Sequence, residues 1–252
     1  MRSFIRARTQ LSQVNGRLGS LCVVACTLLT ISAATPSADS TTMREGTTTI
    51  QDSSLRQYRA YRRMHARNEK FGQEAWLECW TEFDERGFRY DITTERGSDY
   101  VLNKVLKTLL RREQELIAEG QTDRADLTPE NYEFAEPAVD EVGQRYVTMK
   151  PKRKDVLLLD GRMVLNSEGT DVVRVEGKLA KNPSFWTSLV NVIRQFARLD
   201  GVRVPVSTES VARLKFAGIS RMEVQYEYET INGRPVSLGA RQVMASSQAS
   251  SR

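Results

Sequence analysis

Covalent chemistry needs acids, bases, nucleophiles or metal ligands at workable spacing, and this sequence limits all of them. The chain has a single histidine, His65, standing among Arg62, Arg63 and Arg67. One histidine excludes most His-based triads and His-rich metal sites. It reads as an exposed member of a basic strand edge. No CxxC, HExxH, P-loop or GxGxxG pattern occurs. Carboxylates are plentiful, as in Glu78, Glu82, Asp84 and Glu85. On a strand, Glu78 and Glu82 share a face roughly 13 Å apart by strand rise, more than a glycosidase acid–base pair uses. They are expected on a solvated outer face. Cys79 has no adjacent base to activate it and is expected to be a small buried apolar residue. No catalytic residue, cofactor or metal ligand set emerges.

The N-terminal segment gives an address. Arg2, Arg6, Arg8 and Arg17 are the only charges in the first 34 residues, and LGSLCVVACTLLTISAA (18–34) follows. A basic start, a short apolar run and a small-residue exit describe a secretory signal peptide, residues 1–34, with cleavage after Ala34. The protein is then exported and periplasmic. Val23-Val24-Ala25-Cys26 also looks like a lipobox, which would make the protein a lipoprotein anchored through Cys26. An uncleaved anchor is a further alternative. Without the four arginines the 37 basic residues fall to 33, against 32 acidic ones. A charge near zero supplies no long-range attraction to nucleic acid. Cys22 and Cys26 leave with the segment, so no intramolecular disulfide can form.

Residues 35–53 are rich in Ser and Thr and read as a flexible leader. Residues 237–252 read as a disordered tail. The segment between, 54–236, is taken as a single domain.

Much of that domain alternates with period two, the mark of half-buried strands. In RMEVQYEYE (221–229), Met222, Val224, Tyr226 and Tyr228 share one face. In EAWLECWTEFD (74–84), Ala75, Leu77, Cys79, Thr81 and Phe83 form the core face. Trp76 and Trp80 fall on the other face, as cross-strand packing or as a second covered surface. In RQYRAYRRMHAR (56–67), Tyr58, Ala60, Met64 and Ala66 share a face. Asp160-Gly161, Asp200-Gly201 and Asn232-Gly233 are turn signals. Residues 186–199 fit a strand or a helix, and the neighbouring strands favour strand. In VVRVEGKLAKNPSFWT (172–187), Val173, Val175, Gly177 and Leu179 form one face. Asn182-Pro183 ends the strand, and Phe185 with Trp186 anchors the corner. The cluster Lys150, Lys152, Arg153 and Lys154 reads as a solvated turn.

One segment is helical. In SDYVLNKVLKTLLRREQELIAEG (98–120), Leu102, Val105, Leu106, Leu109, Glu113, Leu116 and Ile117 recur at helical spacing. Ser98 or Asp99 caps the start and Gly120 ends it. The apolar stripe must cover something, most simply the open face of the sheet. The fold class is therefore mainly β with one long helix: a curved antiparallel sheet of roughly ten strands, a half-barrel, covered by that helix.

The ordered set ERGSDYVLNKVLKTLLRREQE (95–115), LTPENYEF (127–134), PKRKDVLLLDGRMVLN (151–166), VVRVEGKLAKNPSFW (172–186) and GVRVPVSTESVARLKFAG (201–218) resembles the outer-membrane lipoprotein-sorting (LolA-like) superfamily, in its uncharacterised exported branch. The resemblance implies a half-barrel of antiparallel strands around helices. In the carriers, the concave apolar face binds lipoprotein acyl chains. A related fold senses envelope stress. No position matches a carrier's functional residue securely enough to carry a role over.

Two functions follow as expectations. The first is a periplasmic, non-catalytic binding protein that shelters lipid or lipoprotein acyl chains. Its lining would be Leu77, Phe83, Val224, Tyr226 and Tyr228, with Leu102, Leu106 and Leu109 as lid. Trp186 would pack inside or stand at the mouth. The second is an interaction or stress-sensing module of the same fold, with a filled core and a membrane-associated protein partner.

Overall fold

The structure, a computed structural model, describes residues 54–237, 239 and 240. The expected signal peptide (1–34), the lipidation candidate Cys26, the leader (35–53) and most of the expected tail lie outside the described residues. The first residues of that tail are packed: Ala240 is 7% exposed, and the Ser237 N–H donates to the Asp200 carboxylate.

Twelve strands form one antiparallel sheet. They are β1 (Tyr58–Asn68), β2 (Gln73–Asp84), β3 (Gly87–Gly97), β4 (Tyr132–Phe134), β5 (Ala138–Val139), β6 (Arg145–Pro151), β7 (Leu159–Leu165), β8 (Val172–Leu179), β9 (Thr187–Leu199), β10 (Val202–Leu214), β11 (Gly218–Ile231) and β12 (Arg234–Pro235). The order is β3-β2-β1-β11-β10-β9-β8-β7-β6-β4, with β12 beside β11 and β5 beside β6. β3 and β4 stay apart as edges, so the sheet is open and not closed into a barrel. β1 is not an edge, because it pairs with β2 on one side and β11 on the other.

Between β3 and β4 the chain forms one long helix, α1, from successive segments Asp99–Val101, Leu102–Leu106 and Lys107–Ala118, the middle one a π turn, and then a short 3-10 helix at Thr122–Ala125. The Ser98 hydroxyl accepts from the Val101 N–H at the start, satisfying one of the orphan donors there. Gly120 follows at φ 63°, which stops the helix cheaply.

Period-two alternation places one face of every long strand against the core. Register carries this face across the sheet, from Leu77 on β2 to Met64 on β1 and Val224 on β11, then to Thr208 on β10 and Arg194 on β9. α1 covers the half built on β1–β3 and β11. The half built on β4 and β6–β9 gathers Tyr132, Met149, Leu159, Val175, Val192 and Phe196 in a second cluster. The 186–199 stretch is a strand. Its helix-like spacing mixes the two strand faces, with Val192 and Phe196 buried and Ile193 exposed, and a register shift follows between Pro205 and Ser207. There the buried positions of β9 change phase, and Phe196 and Ala197 are both buried.

Two expected turns hold, since Asp200-Gly201 and Asn232-Gly233 both sit at positive φ. Asp160-Gly161 does not turn; it lies within β7, and Gly161 faces Gly177 of β8. A Cβ on Gly161 would stand 2.0 Å from the Glu176 carbonyl oxygen. The glycine serves close strand approach instead of a hairpin. β8 differs in one residue: Val173 is exposed, because the register shift between Val164 and Leu165 pairs Val172 with Leu165 and packs it against the second cluster.

Candidate functional site

The helix-covered face of the sheet brings together eight of the nine expected lining residues. Leu77, Leu106, Leu109 and Val224 are fully buried, and Leu102, Tyr226 and Tyr228 nearly so. Phe83 packs against them while partly buried. Tyr58 joins its ring to Phe83 at 6.0 Å and to Tyr228 at 5.7 Å. The stripe of α1 therefore lies in direct contact with the sheet face it was expected to cover.

Trp186 is elsewhere. It stands on the loop before β9, 36% exposed, next to Phe185, which is 76% exposed. Neither ring is buried in the core. Pro183 is the buried residue of that loop.

The centre of the covered face is polar. Arg62, expected on a basic strand edge, is 2% exposed and meets Glu113 of α1, itself 1% exposed. Nη1 donates to Oε2 at 2.6 Å and Nη2 to Oε1 at 2.9 Å. Nη2 also donates to the Tyr58 hydroxyl at 2.8 Å. The guanidinium lies between the rings of Phe88 (5.0 Å) and Tyr226 (4.8 Å), contacts that favour a desolvated cation. Burial disfavours its charge, but the Glu113 carboxylate outweighs this and raises the Arg62 pKa well above its ordinary value. Burial also raises the Tyr58 and Tyr228 hydroxyls, so both stay protonated. Arg62 Nε has no hydrogen-bond partner among the described residues.

Sequence reasoning passed over this pair, although a signal was present. Arg62 interrupts the apolar face Tyr58, Ala60, Met64 and Ala66. Glu113 interrupts the apolar stripe of the helix. Two interruptions of opposite sign on facing elements call for each other.

A second buried arginine, Arg194, lies on the same face and donates from Nε to the Thr208 hydroxyl at 3.2 Å. At the end of this half, buried Asp155 accepts from Arg124 at 2.7 Å and from the Leu157 N–H at 3.1 Å. Burial opposes its ionisation, but these partners prevail and lower its pKa. This engages Arg153 of the basic cluster, which also donates to Asn131.

The outer face is a lattice of rings and charges. His65 stacks on Trp76 at 4.6 Å, with Arg96 on the far side of the indole. Tyr61 packs edge-on to Trp80, and its hydroxyl donates to Glu78 at 2.6 Å. Both tryptophans are thus cross-strand packing. Glu209 and Glu223 oppose each other directly on β10 and β11. They border a pocket of about 170 Å³ lined also by His65, Arg67 and Arg221.

Cys79 is fully buried on the helix-covered face, where burial pushes its thiol up to about 11. A thiol at that value holds almost no thiolate at neutral pH. Among the described residues, no group of three or more His, Cys, Asp or Glu side chains is placed to hold a metal ion, and no helix is long and apolar enough to cross a membrane.

No family model matches the chain, and no curated protein matches it. Among solved structures the chain is similar to the crystal structure of a DUF1329 family protein from Desulfovibrio piger. The identity is 10% and the TM-score 0.33, over 71% of this chain and 85% of that one.

Proposed function

We propose that the protein is a non-catalytic, exported binding protein that shelters lipid or lipoprotein acyl chains on the concave face of its sheet, with α1 as a displaceable lid. One observation carries this reading. An apolar face, interrupted at its centre by the buried Arg62–Glu113 pair, is covered by a single helix. A buried ion pair is weak glue, since desolvation offsets much of its attraction. Lifting α1 returns both charges to water and exposes Leu102, Leu106 and Leu109, a cost that the incoming acyl chain must offset. The face it uncovers suits an acyl chain, which gains about 0.8 kcal/mol per methylene removed from water. The resemblance to the LolA-like superfamily points the same way.

A second reading has its own support. Leu102, Leu106 and Leu109 are buried as tightly as plain core, which suits a filled module that contacts a membrane-associated protein partner. Native mass spectrometry and uptake of a fluorescent fatty acid separate the two. The carrier reading expects co-purifying lipid or saturable uptake. It also expects Leu106→Glu to lower uptake in a chain that still folds. A clean apo mass with no uptake would sink it, and loss of folding in Leu106→Glu would identify the stripe as core.

A further inference from the structure

Three hairpin loops meet at one end of the sheet: residues 69–72 between β1 and β2, 180–186 between β8 and β9, and 215–217 between β10 and β11. They are tied to one another. Asn68 Nδ2 donates to the Ala217 carbonyl at 2.9 Å, and Lys70 Nζ to the Phe216 carbonyl at 2.8 Å. The Lys215 N–H donates to the Trp186 carbonyl at 2.9 Å.

Their tips carry rings that the core does not absorb. Trp186 sits edge-on between Phe185 at 5.3 Å and Phe216 at 5.1 Å. Phe185, Phe216 and Phe71 are 76%, 65% and 60% exposed. Cations accompany them, with the Lys215 ammonium 3.9 Å from the Phe185 centroid and Lys70 5.7 Å from Phe71. Lys181 is exposed on the same loops, and Arg213 is exposed at the adjoining end of β10. The one carboxylate there, Glu69, is engaged by Arg221 at 2.7 Å. Scattered exposed rings need no explanation, but a contiguous cluster does.

We propose that this end of the sheet docks on a bilayer surface bearing anionic headgroups. Ring bodies prefer the boundary between headgroup and acyl chain, where Trp is enriched. Ammonium groups on flexible stems stay level with the phosphates. Each lysine near an anionic surface strengthens attraction about fivefold. The local excess of cations matches that surface, although the chain without its N-terminal arginines is nearly neutral. The proposal is independent of whether the concave face opens.

The test uses the full-length chain and compares tip variants, so that any contribution of the N-terminal segment is common to all. Partition is measured by co-sedimentation with vesicles of phosphatidylcholine alone and of phosphatidylcholine mixed with phosphatidylglycerol. The wild-type chain favours the anionic vesicles. Lys70→Glu/Lys215→Glu weakens that binding about tenfold or more and leaves the neutral vesicles unaffected. Phe185→Ser/Phe216→Ser weakens both. In a Trp76→Phe/Trp80→Phe chain, Trp186 is the only tryptophan, and its emission shifts to the blue on anionic vesicles. Equal partition of wild-type and charge-reversed chains, or unchanged Trp186 emission, overturns the proposal. So does a wild-type chain that ignores both vesicles, an outcome that would leave the rings to a protein partner.

Discussion

Arg62 on β1 and Glu113 on α1 clasp each other through two hydrogen bonds in the most deeply covered part of the sheet. Removing one partner leaves the other charge buried and uncompensated. Arg62→Leu and Glu113→Leu are each expected to lower stability by about 3–5 kcal/mol. The double variant is expected to recover most of that loss, or to exceed the wild type. Urea unfolding of the four chains measures this coupling. Additive losses would show that the two side chains act separately.

The Gly161–Gly177 contact between β7 and β8 leaves no space for a methyl group. Gly161→Ala should destabilise the domain by about 1–3 kcal/mol. Hydrogen exchange should report the loss first in β7 and β8. Gly143 is the contrast in space alone, since nothing lies within 4 Å of a Cβ there. A similar cost at Gly143 would trace to its positive φ and not to crowding.

Cys79 should be inert. With its thiol raised to about 11 by burial, Cys79 should not react with a disulfide reagent at pH 8 in a folded Cys22→Ser/Cys26→Ser chain, where it is the only thiol. In denaturant it should react fully. Rapid labelling of the native protein would mean that β2 or its cover opens readily.

Glu209 gives a pH dependence with a definite sign. Burial raises its pKa, and Glu223 across the strand pair adds to the rise. The folded state then holds the proton more tightly than the unfolded chain does. The stabilisation is full below the unfolded value of about 4.3 and is lost as pH rises through the folded value. Glu209→Gln should therefore melt above the wild type at pH 7, by a few degrees at most for a screened group. The gap should close near pH 4. A gap that widens on acidification would contradict the assignment.

Much of the fold is legible along the chain because strand and helix periods are local properties. Alternation over 221–229 and 74–84 yields β11 and β2, the i, i+3, i+4 stripe yields α1, and Asp200-Gly201 yields its turn. Alternation also groups Leu77, Val224, Tyr226 and Tyr228 on core faces. Local spacing loses its meaning where two strands approach across the sheet, and so Asp160-Gly161 reads as a turn while it serves the β7–β8 contact.

What the sequence by itself determined is which residues share a face; what only the tertiary structure decided is which face each neighbour covers. Arg62 shares a face with Tyr58, Ala60, Met64 and Ala66 by alternation alone. That its guanidinium is dry, and that its partner is Glu113, follows from Tyr226 of β11 packing on it and α1 lying over β1–β3. Trp186 shows the converse. By sequence Trp186 reads as packed inside the fold or standing at its mouth, and three hairpins ending together leave it among exposed rings. Period constrains direction relative to the backbone, whereas burial depends on residues far away in the chain that dock there.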